Sequence, residues 1–334
     1  MRNRLSGPAL KLPSCLRMGG RLCGRGGEGW LPKAPLLTKE GWRRFADGMV
    51  FSLALFTFGH HIAAQTAATS DWPETEARLT RQITSGDTEQ RRSALFEIRN
   101  LQTEQASRLA IPALKDINEI VRATAASSVI YLPKIKAINA LTPLLNDKAE
   151  FVRREAAYSL GNIGSQEAAA PLLGHLQKEK LFEVRNAIVV ALGQSGDSSA
   201  IEPLVEILQR SPKEDEEFLR RSAARSIGQI AQIIHTGKKD VLTPQNFLPD
   251  KYKDTGENTN MATLSTIFAP AVAVLTQVLK SKNESADTRR EAAYSLGAIG
   301  DKSSIAVLRT NRDSIDPYLA EICKEALLKI EKSE

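Results

Sequence analysis

The chain has 334 residues, of which 42% are hydrophobic and only 5% aromatic, and its formal net charge is +6. The charge is unevenly distributed, because residues 1–70 contain ten lysines and arginines against three acids, whereas residues 71–334 contain 35 against 36. A nucleic-acid-binding protein normally keeps its basic excess on the folded domain, where it can release counterions from phosphates. The neutral body therefore predicts that nucleic acid is not the partner.

The N-terminal region divides into two segments. Residues 1–48 are rich in Gly, Pro and Arg without a sustained apolar period, which predicts a disordered basic leader. The apolar run MVFSLALFTFG that follows is too short to span a bilayer, and small residues come after it, as in a secretory signal peptide over residues 49–68. We expect cleavage near Ala64 or Ala68, and a periplasmic or secreted protein without a stable membrane span.

Two alternatives to this interpretation stay open. The apolar run could instead form a buried N-terminal helix, in which case the protein is cytoplasmic. Residues 1–48 could also reflect an upstream assignment of the translation start and not belong to the native protein. A start at Met49 would leave the signal without the positive charges of Arg43 and Arg44.

The remainder of the chain is repetitive. The nine-residue segment RREAAYSLG occurs twice without change, at residues 153–161 and 289–297, and looser copies lie before and between them. The arginine that marks each copy recurs at steps of 31, 31, 32, 35 and 69 residues, and these markers are Arg91, Arg122, Arg153, Arg185, Arg220 and Arg289. Periods of this size are typical of stacked supersecondary units.

Each repeat contains two helices. The marked segment carries apolar residues at helical spacing, which predicts a helix with one buried face. Glycines that close this helix are expected at Gly161, Gly164, Gly193, Gly196, Gly228, Gly297 and Gly300. A second helix follows, with a proline expected in its first turn, where no intrahelical amide bond is lost. These prolines are Pro112, Pro143, Pro171, Pro203 and Pro270.

Two helices joined by a glycine-containing turn resemble the short HEAT repeats of PBS lyase-like proteins. The resemblance rests on the recurring VRxxAAxxLGxIG and AxxPLL helices over about residues 85–332. It implies an all-α fold over residues 70–334, namely an α-α superhelix of armadillo-like HEAT repeats, with about six repeats and cap helices at 71–84 and 316–332. Such solenoids bind a protein or peptide on a concave face, which we expect the second helices to line.

The sequence offers no recognised catalytic, cofactor-binding or metal-binding set. Deoxyhypusine hydroxylases are HEAT-like enzymes that hold iron with His-Glu pairs, and this sequence contains no His-Glu dipeptide. Its four histidines are dispersed, at His60, His61, His175 and His235. We therefore predict a protein-interaction scaffold that is not an enzyme and uses no cofactor. The alternative is a lyase-like or hydroxylase-like enzyme, either a chromophore lyase or a metal-dependent oxidoreductase.

The step of 69 residues predicts an inserted loop over residues 236–261, because this stretch contains two prolines and lacks a helical apolar period. The functional interpretation is that Phe247, Leu248 and Tyr252 anchor a partner, since aromatic residues dominate interface energies. The alternative is a disordered, neutral insertion of a kind that solenoids tolerate.

The marker arginines also admit two interpretations, a basic stripe or a structural ladder of ion pairs. One arginine per repeat at a fixed site favours the ladder, with acids such as Asp147, Glu150 and Glu183 as partners.

Overall fold

The computed structural model describes residues 71–237 and 264–331, and every regular element in these two ranges is helical. Helix α1 (Trp72–Ser85) precedes the repeats. The first helices of successive repeats are α2 (Thr88–Leu101), α4 (Glu119–Ser128), α6 (Glu150–Ile163), α8 (Phe182–Ser195), α10 (Glu217–Thr236) and α12 (Ala286–Ile299), followed by the closing helix α14 (Pro317–Glu331). The second helices are α3 (Glu104–Leu109), α5 (Lys134–Leu141), α7 (Ala169–Leu176), α9 (Ile201–Gln209), α11 (Leu264–Lys280) and α13 (Ile305–Asn311). The all-α solenoid is confirmed.

First helices of adjacent repeats pack directly on one another through small side chains. Ala156, Ala157 and Leu160 in α6 are completely buried, as are their equivalents Ala292, Ala293 and Leu296 in α12. Small residues at paired positions allow two helix backbones to approach closely. Each repeat thus buries its apolar stripe against its neighbours, which explains why the array needs several units to be stable.

The repeat glycines serve two different purposes. Gly164, Gly196 and Gly300 follow first helices with φ angles of 59°, 70° and 78°, and they are the left-handed caps that the sequence predicted. Gly161 instead lies inside α6, where an added Cβ would be 2.8 Å from the Cα of Ala191 in α8. Its equivalents are Gly193, Gly228 and Gly297. The expectation that these four glycines end helices is wrong, because close helix contact is what requires them.

The prolines of the second helices also differ among themselves. Pro171 and Pro203 lie in the first turns of α7 and α9, as predicted. Pro112 and Pro143 instead lie in 3-10 turns that follow α3 and α5, and Pro270 lies inside α11. Proline has no backbone N–H to donate to the carbonyl four residues earlier. The α-helical hydrogen bonds therefore stop at Pro112 and Pro143, and the chain continues as a 3-10 turn.

The predicted arginine ladder is present, with acceptors that differ in part from those expected. Its rungs are Arg91–Asp116, Arg122–Asp147, Arg153–Glu179 and Arg220–Glu284. In each rung the acid precedes the next first helix, and its carboxylate reaches back to the arginine one repeat earlier. Asp147 was expected, whereas Glu150 and Glu183 form no rung among the residues that the structure describes. Both lie inside the first turn of a helix, one turn too late to reach back.

The ladder arginines also bond to the backbone of the turn before their own helix. Arg122 Nη1 donates to the Asp116 carbonyl oxygen at 2.8 Å, and Arg153 Nη1 donates to the Asp147 carbonyl oxygen at 2.9 Å. Each guanidinium therefore joins two successive turns, which supports the structural interpretation over a basic stripe.

Candidate binding face on the first helices

The exposed side of the first helices, here called the first-helix face, carries polar and aromatic side chains that lie outside the apolar core. Three positions of each repeat contribute to it, those equivalent to Arg154, Glu155 and Tyr158 of α6, because residues i, i+1 and i+4 lie on one side of a helix. The partly exposed residues at these positions are Arg92, Phe96, Ser127, Arg154, Glu155, Tyr158, Asn186, Val190, Arg221, Ser222, Arg225, Arg290, Glu291 and Tyr294. Arg99, one turn further along α2, adjoins them.

Arginine stacks on aromatic rings near both ends of this face. Arg92 and Arg99 lie 5.5 and 5.2 Å from the centre of the Phe96 ring. Arg290 lies 5.2 Å from the ring of Tyr318, which is 53% exposed. Such stacking holds the flat face of each guanidinium in place, and the N–H groups of Arg92 and Arg290 bond to acids of the fold.

The arginines of α10 and α12 are satisfied by acids within the fold. Arg225 Nη1 lies 3.3 Å from Glu291 Oε1, and Arg221 Nη1 lies 3.1 Å from Asp287 Oδ2. Arg290 bonds to Asp287 and, through Nε at 2.7 Å, to Asp316. The arginine charges of this part of the face are therefore neutralised by acids of the same fold.

Glu155 and Glu291 occupy the same position of the identical nine-residue segments but face different neighbours. Burial raises the pKa of Glu291, and the nearby Arg225 and Arg221 only partly oppose this shift. Burial likewise raises the pKa of Glu155, against the weaker opposing influence of Arg99, Arg154 and a hydrogen bond with Ser127. Ser127 thus faces Glu155, in the way that an arginine faces Glu291.

The centre of the face, at α6 and α8, contains groups that the fold leaves unsatisfied. Arg154 makes no hydrogen bond or ion pair among the described residues. The Oδ1 atom of Asn186 is buried and lacks a hydrogen-bond partner there. The Asn186 oxygen is inaccessible from outside, but a partly exposed guanidinium without an ion pair can bind an external oxygen ligand, so Arg154 marks the part of the face that is best suited to a ligand.

The iron of the HEAT-like hydroxylases does not fit the residues present. Glu155 and Glu291 are each preceded by an arginine, Arg154 or Arg290, and a guanidinium has no lone pair with which to bind a metal. His175 bonds instead to Glu179, 3.1 Å away. Within residues 71–237 and 264–331 no three His, Cys, Asp or Glu side chains are placed to share a metal ion.

The remaining candidate groups contribute little to a site. Cys323 is buried in α14, and burial raises the pKa of its thiol to about 12, so that it is unreactive at neutral pH. Phe247, Leu248 and Tyr252 lie outside the described residues, as does nearly all of the 236–261 insertion, and their role stays a prediction. The signal segment 49–68 also lies outside them. Among the helices that the structure describes, none is both long and apolar enough to cross a membrane.

These observations define the class of the protein as an α-solenoid with a polar, arginine-rich face. A family model for HEAT repeats matches residues 75–158, 111–191 and 138–228, and a model for the PBS lyase HEAT-like repeat matches residues 288–313. The chain therefore contains HEAT repeats over residues 75–228 and a PBS lyase HEAT-like repeat over residues 288–313, which confirms the resemblance.

Several relatives of this chain are enzymes. Deoxyhypusine hydroxylase-B of Oryza sativa subsp. japonica is 24% identical over 267 residues, which cover 71% of this chain and 86% of that protein. Deoxyhypusine hydroxylase of Arabidopsis thaliana is 28% identical over 223 residues, covering 64% of this chain and 66% of that protein. The bilin biosynthesis protein PecE of Mastigocladus laminosus is 34% identical over 73 residues, covering 22% of this chain and 27% of that protein.

The expectation that the chain is not an enzyme is overturned by these relatives, since those that match most of its length are named as hydroxylases. That expectation rested on the missing His-Glu dipeptide, which excludes one way of holding iron but not catalysis in general.

Sequence reasoning also missed the first-helix face. A signal was present, because several of the positions equivalent to Arg154, Glu155 and Tyr158 carry arginine, carboxylate, amide or aromatic side chains beside the apolar stripe of the helix.

Proposed function

We propose that the chain binds a segment of another protein on its first-helix face. The observation that carries this proposal is the composition of the face, where arginine and aromatic side chains lie partly exposed beside an Ala-, Leu- and Gly-rich packed side. Arginine and aromatic residues are enriched at the centres of protein interfaces. Both a scaffold and an enzyme that modifies proteins would need such a binding step.

The packing of the helices supports the first-helix row, and not the second-helix row, as the concave side. Adjacent first helices approach so closely that a Cβ at Gly161 or Gly228 would collide with the next first helix. In a stack of helix pairs, the row with the closer spacing lies on the inner side of the curve, where an extended partner has most contact.

Affinity capture from the native extract with two matched double variants tests this proposal. We expect Tyr158→Glu with Val190→Glu, on the first helices, to abolish capture of the protein that the wild type retains. Ile135→Glu with Ile267→Glu, at exposed positions of the second helices, should leave capture unchanged. The reverse result would reject the first-helix face and favour the second helices. Melting curves of all variants control for folding.

An enzymatic role of the HEAT-repeat hydroxylase or lyase kind is the second candidate, and the hydroxylase relatives favour it. Glu155 and Glu291 are the described carboxylates best suited to proton transfer, because burial moves the pKa of each towards neutrality. We would incubate the captured partner with the wild type and with Glu155→Gln and Glu291→Gln, and measure partner mass. A mass change produced by the wild type alone supports this role, and an equal change with the variants excludes these carboxylates.

We also propose export of the chain, on the basis of the apolar run and small residues over 49–68. N-terminal sequencing of protein from native cells should begin after Ala64 or Ala68. Cytosolic protein that retains Phe51 to Phe58 would reject export and leave the cytoplasmic alternative.

A further inference from the structure

The arginine ladder is interrupted between α8 and α10. Arg185 occupies the ladder position of α8, one repeat after Arg153, yet its side chain makes no hydrogen bond or ion pair among the described residues. The ladder arginines on either side, Arg153 and Arg220, are bound to Glu179 and Glu284. The edge at which the first helices begin is therefore joined by ion pairs before and after this junction, but not at it.

The next junction, between α10 and α12, has two further ion pairs on the first-helix face. Arg221 Nη1 lies 3.1 Å from Asp287 Oδ2, and Arg225 Nη1 lies 3.3 Å from Glu291 Oε1. Together with the ladder rung, these pairs connect the two helices at several points along their length. Contacts spread along two helices oppose a change in the angle between them.

The corresponding positions between α8 and α10 carry no charge. In the repeat register, Asn186 and Phe218 replace the first of these pairs, and Val190 and Ser222 replace the second. The Oδ1 atom of Asn186 is buried and lacks a donor among the described residues, which costs free energy. Polar contacts therefore stabilise the angle between α8 and α10 less than they stabilise the angle one repeat later.

The closest contact between α8 and α10 lies near Ser226. Its Oγ atom donates to the Val189 carbonyl oxygen at 2.9 Å, and a Cβ built on Gly193 would lie 2.7 Å from the Cβ of Ser226. The apolar packing around this point is non-directional. One close contact fixes the distance between two helices but permits rotation about itself, and the edge at Arg185 has no bond that would resist this rotation.

The second helices divide at the same place. Helix α7 packs on α8, whereas α9 packs on α10 and α11. Arg220 of α10 strengthens the latter contact, because its guanidinium donates to the carbonyl oxygens of Ile207 and Leu208, each at 3.1 Å. Helix α9 therefore belongs with α10–α14, and α7 belongs with α8.

We infer that the junction between α8 and α10 is a joint of the solenoid, at which α1–α8 and α9–α14 change their mutual angle about the Ser226 contact. Sliding and rotation of packed helices is an established form of conformational change in proteins. The first-helix face crosses this joint, so a change of angle alters the curvature that a partner meets. That consequence rests on the proposed function, whereas the joint itself does not.

Distances between spin labels on the full chain test the joint. Labels at Lys136→Cys in α5 and Ala306→Cys in α13 span it, and labels at Glu76→Cys in α1 and Lys136→Cys lie on one side of it. The labelled chains also carry Cys15→Ser and Cys23→Ser. We expect the spanning pair to give a broader distance distribution than the control pair.

A matched variant transfers the Arg225–Glu291 pair to the joint. Val190→Arg with Ser222→Glu places both charges at the corresponding positions, and it should narrow the spanning distribution without changing that of the control pair. Val190→Arg alone supplies no acid and should leave the spanning distribution as broad as in the wild type. A spanning distribution no broader than the control, or one that the double variant leaves unchanged, would overturn the joint.

Urea unfolding provides an independent measurement. Arg153→Gln should raise the unfolding equilibrium constant about tenfold or more, because Glu179 loses its charged donor. Arg185→Gln should change this constant by less than about threefold, as for a residue without a bond. Glu214 precedes Arg220 by six residues, as Glu179 precedes Arg185. Equal losses with Arg153→Gln, Arg185→Gln and Glu214→Gln would therefore show a rung at this junction and reject the joint. Both measurements use the chain without a partner, so a negative result leaves the proposed binding on the first-helix face intact.

Discussion

Ser295 donates a hydrogen bond of 2.6 Å from its Oγ atom to the carbonyl oxygen of Ala224, although 71 residues separate the two in sequence. Ser226 bonds in the same way to the Val189 carbonyl oxygen, 37 residues earlier. The insertion after α10 therefore does not interrupt the stacking of first helices. Ser128 makes the equivalent bond to the Leu95 carbonyl oxygen, whereas Ser159, at the same position of α6, does not.

Ser295→Ala should destabilise the fold by about 1 kcal/mol, because the Ala224 carbonyl loses its buried donor. Ser159→Ala is the matched control, since Ser159 occupies the same position of the identical segment but its Oγ has no partner among the described residues. We expect that substitution to be neutral or slightly stabilising. Urea unfolding measures both, and equal losses in the two variants would contradict the hydrogen-bond account.

Leu160→Ala and Leu296→Ala should each cost about 2–5 kcal/mol, because both side chains are completely buried and each substitution leaves a cavity. Since each repeat contacts only its neighbours, local weakening should also broaden the thermal transition. Calorimetry checks both effects. A sharp, unshifted transition in either variant would show that the assigned repeat register is wrong.

Gly161→Ala should destabilise by about 1–3 kcal/mol, because its Cβ would press on Ala191 of the adjacent helix. Gly174→Ala provides the contrast, since no atom lies within 4 Å of a Cβ built there. That change should stabilise α7 by about 0.5–1 kcal/mol through the ordinary helix preference for alanine. Chemical denaturation of the two variants should therefore give shifts of opposite sign.

Acid should weaken the fold through Glu179. Burial alone would raise the pKa of Glu179, but hydrogen bonds from Arg153, the Leu181 amide and His175 outweigh it and lower this pKa from 4.5 to about 2. The unfolded chain then binds more protons than the folded chain between these values. The stabilisation, about 3 kcal/mol, is complete above about pH 5 and is lost as the pH falls towards 2.

Glu179→Gln should remove this part of the pH dependence, as measured by the urea midpoint between pH 2 and pH 7. Glu183→Gln is the control, because Glu183 is exposed in the first turn of α8 and forms no rung. If Glu179→Gln and the wild type lose stability in parallel on acidification, the Arg153–Glu179 rung does not contribute.

The repeat itself could be predicted from the sequence because the physical demands of packing recur in each unit. Where one first helix meets the next, the position of Ala156 requires a small side chain and that of Leu160 an apolar one, and Gly164 must adopt a left-handed conformation. The regular spacing of such residues in the sequence therefore indicates the fold. The identity of the ladder acids was less predictable. Glu179 lies in the turn before α8 and reaches Arg153, whereas Glu183 lies one helical turn later and does not. Which of the two forms the ion pair therefore depends on the residue at which the helix begins.

The sequence by itself determined the helical periods, the two-helix unit and the left-handed caps at Gly164, Gly196 and Gly300, because these follow from local backbone preferences and from apolar spacing. Only the tertiary structure decided which of two identical segments keeps an unpaired arginine. Arg154 and Arg290 share the same nine-residue segment, but Asp287 precedes Arg290 by three residues where Phe151 precedes Arg154, and Asp316 reaches Arg290 from the turn before α14. The hydrogen bonds of a guanidinium depend on groups brought together across turns, and only the packed chain places those groups.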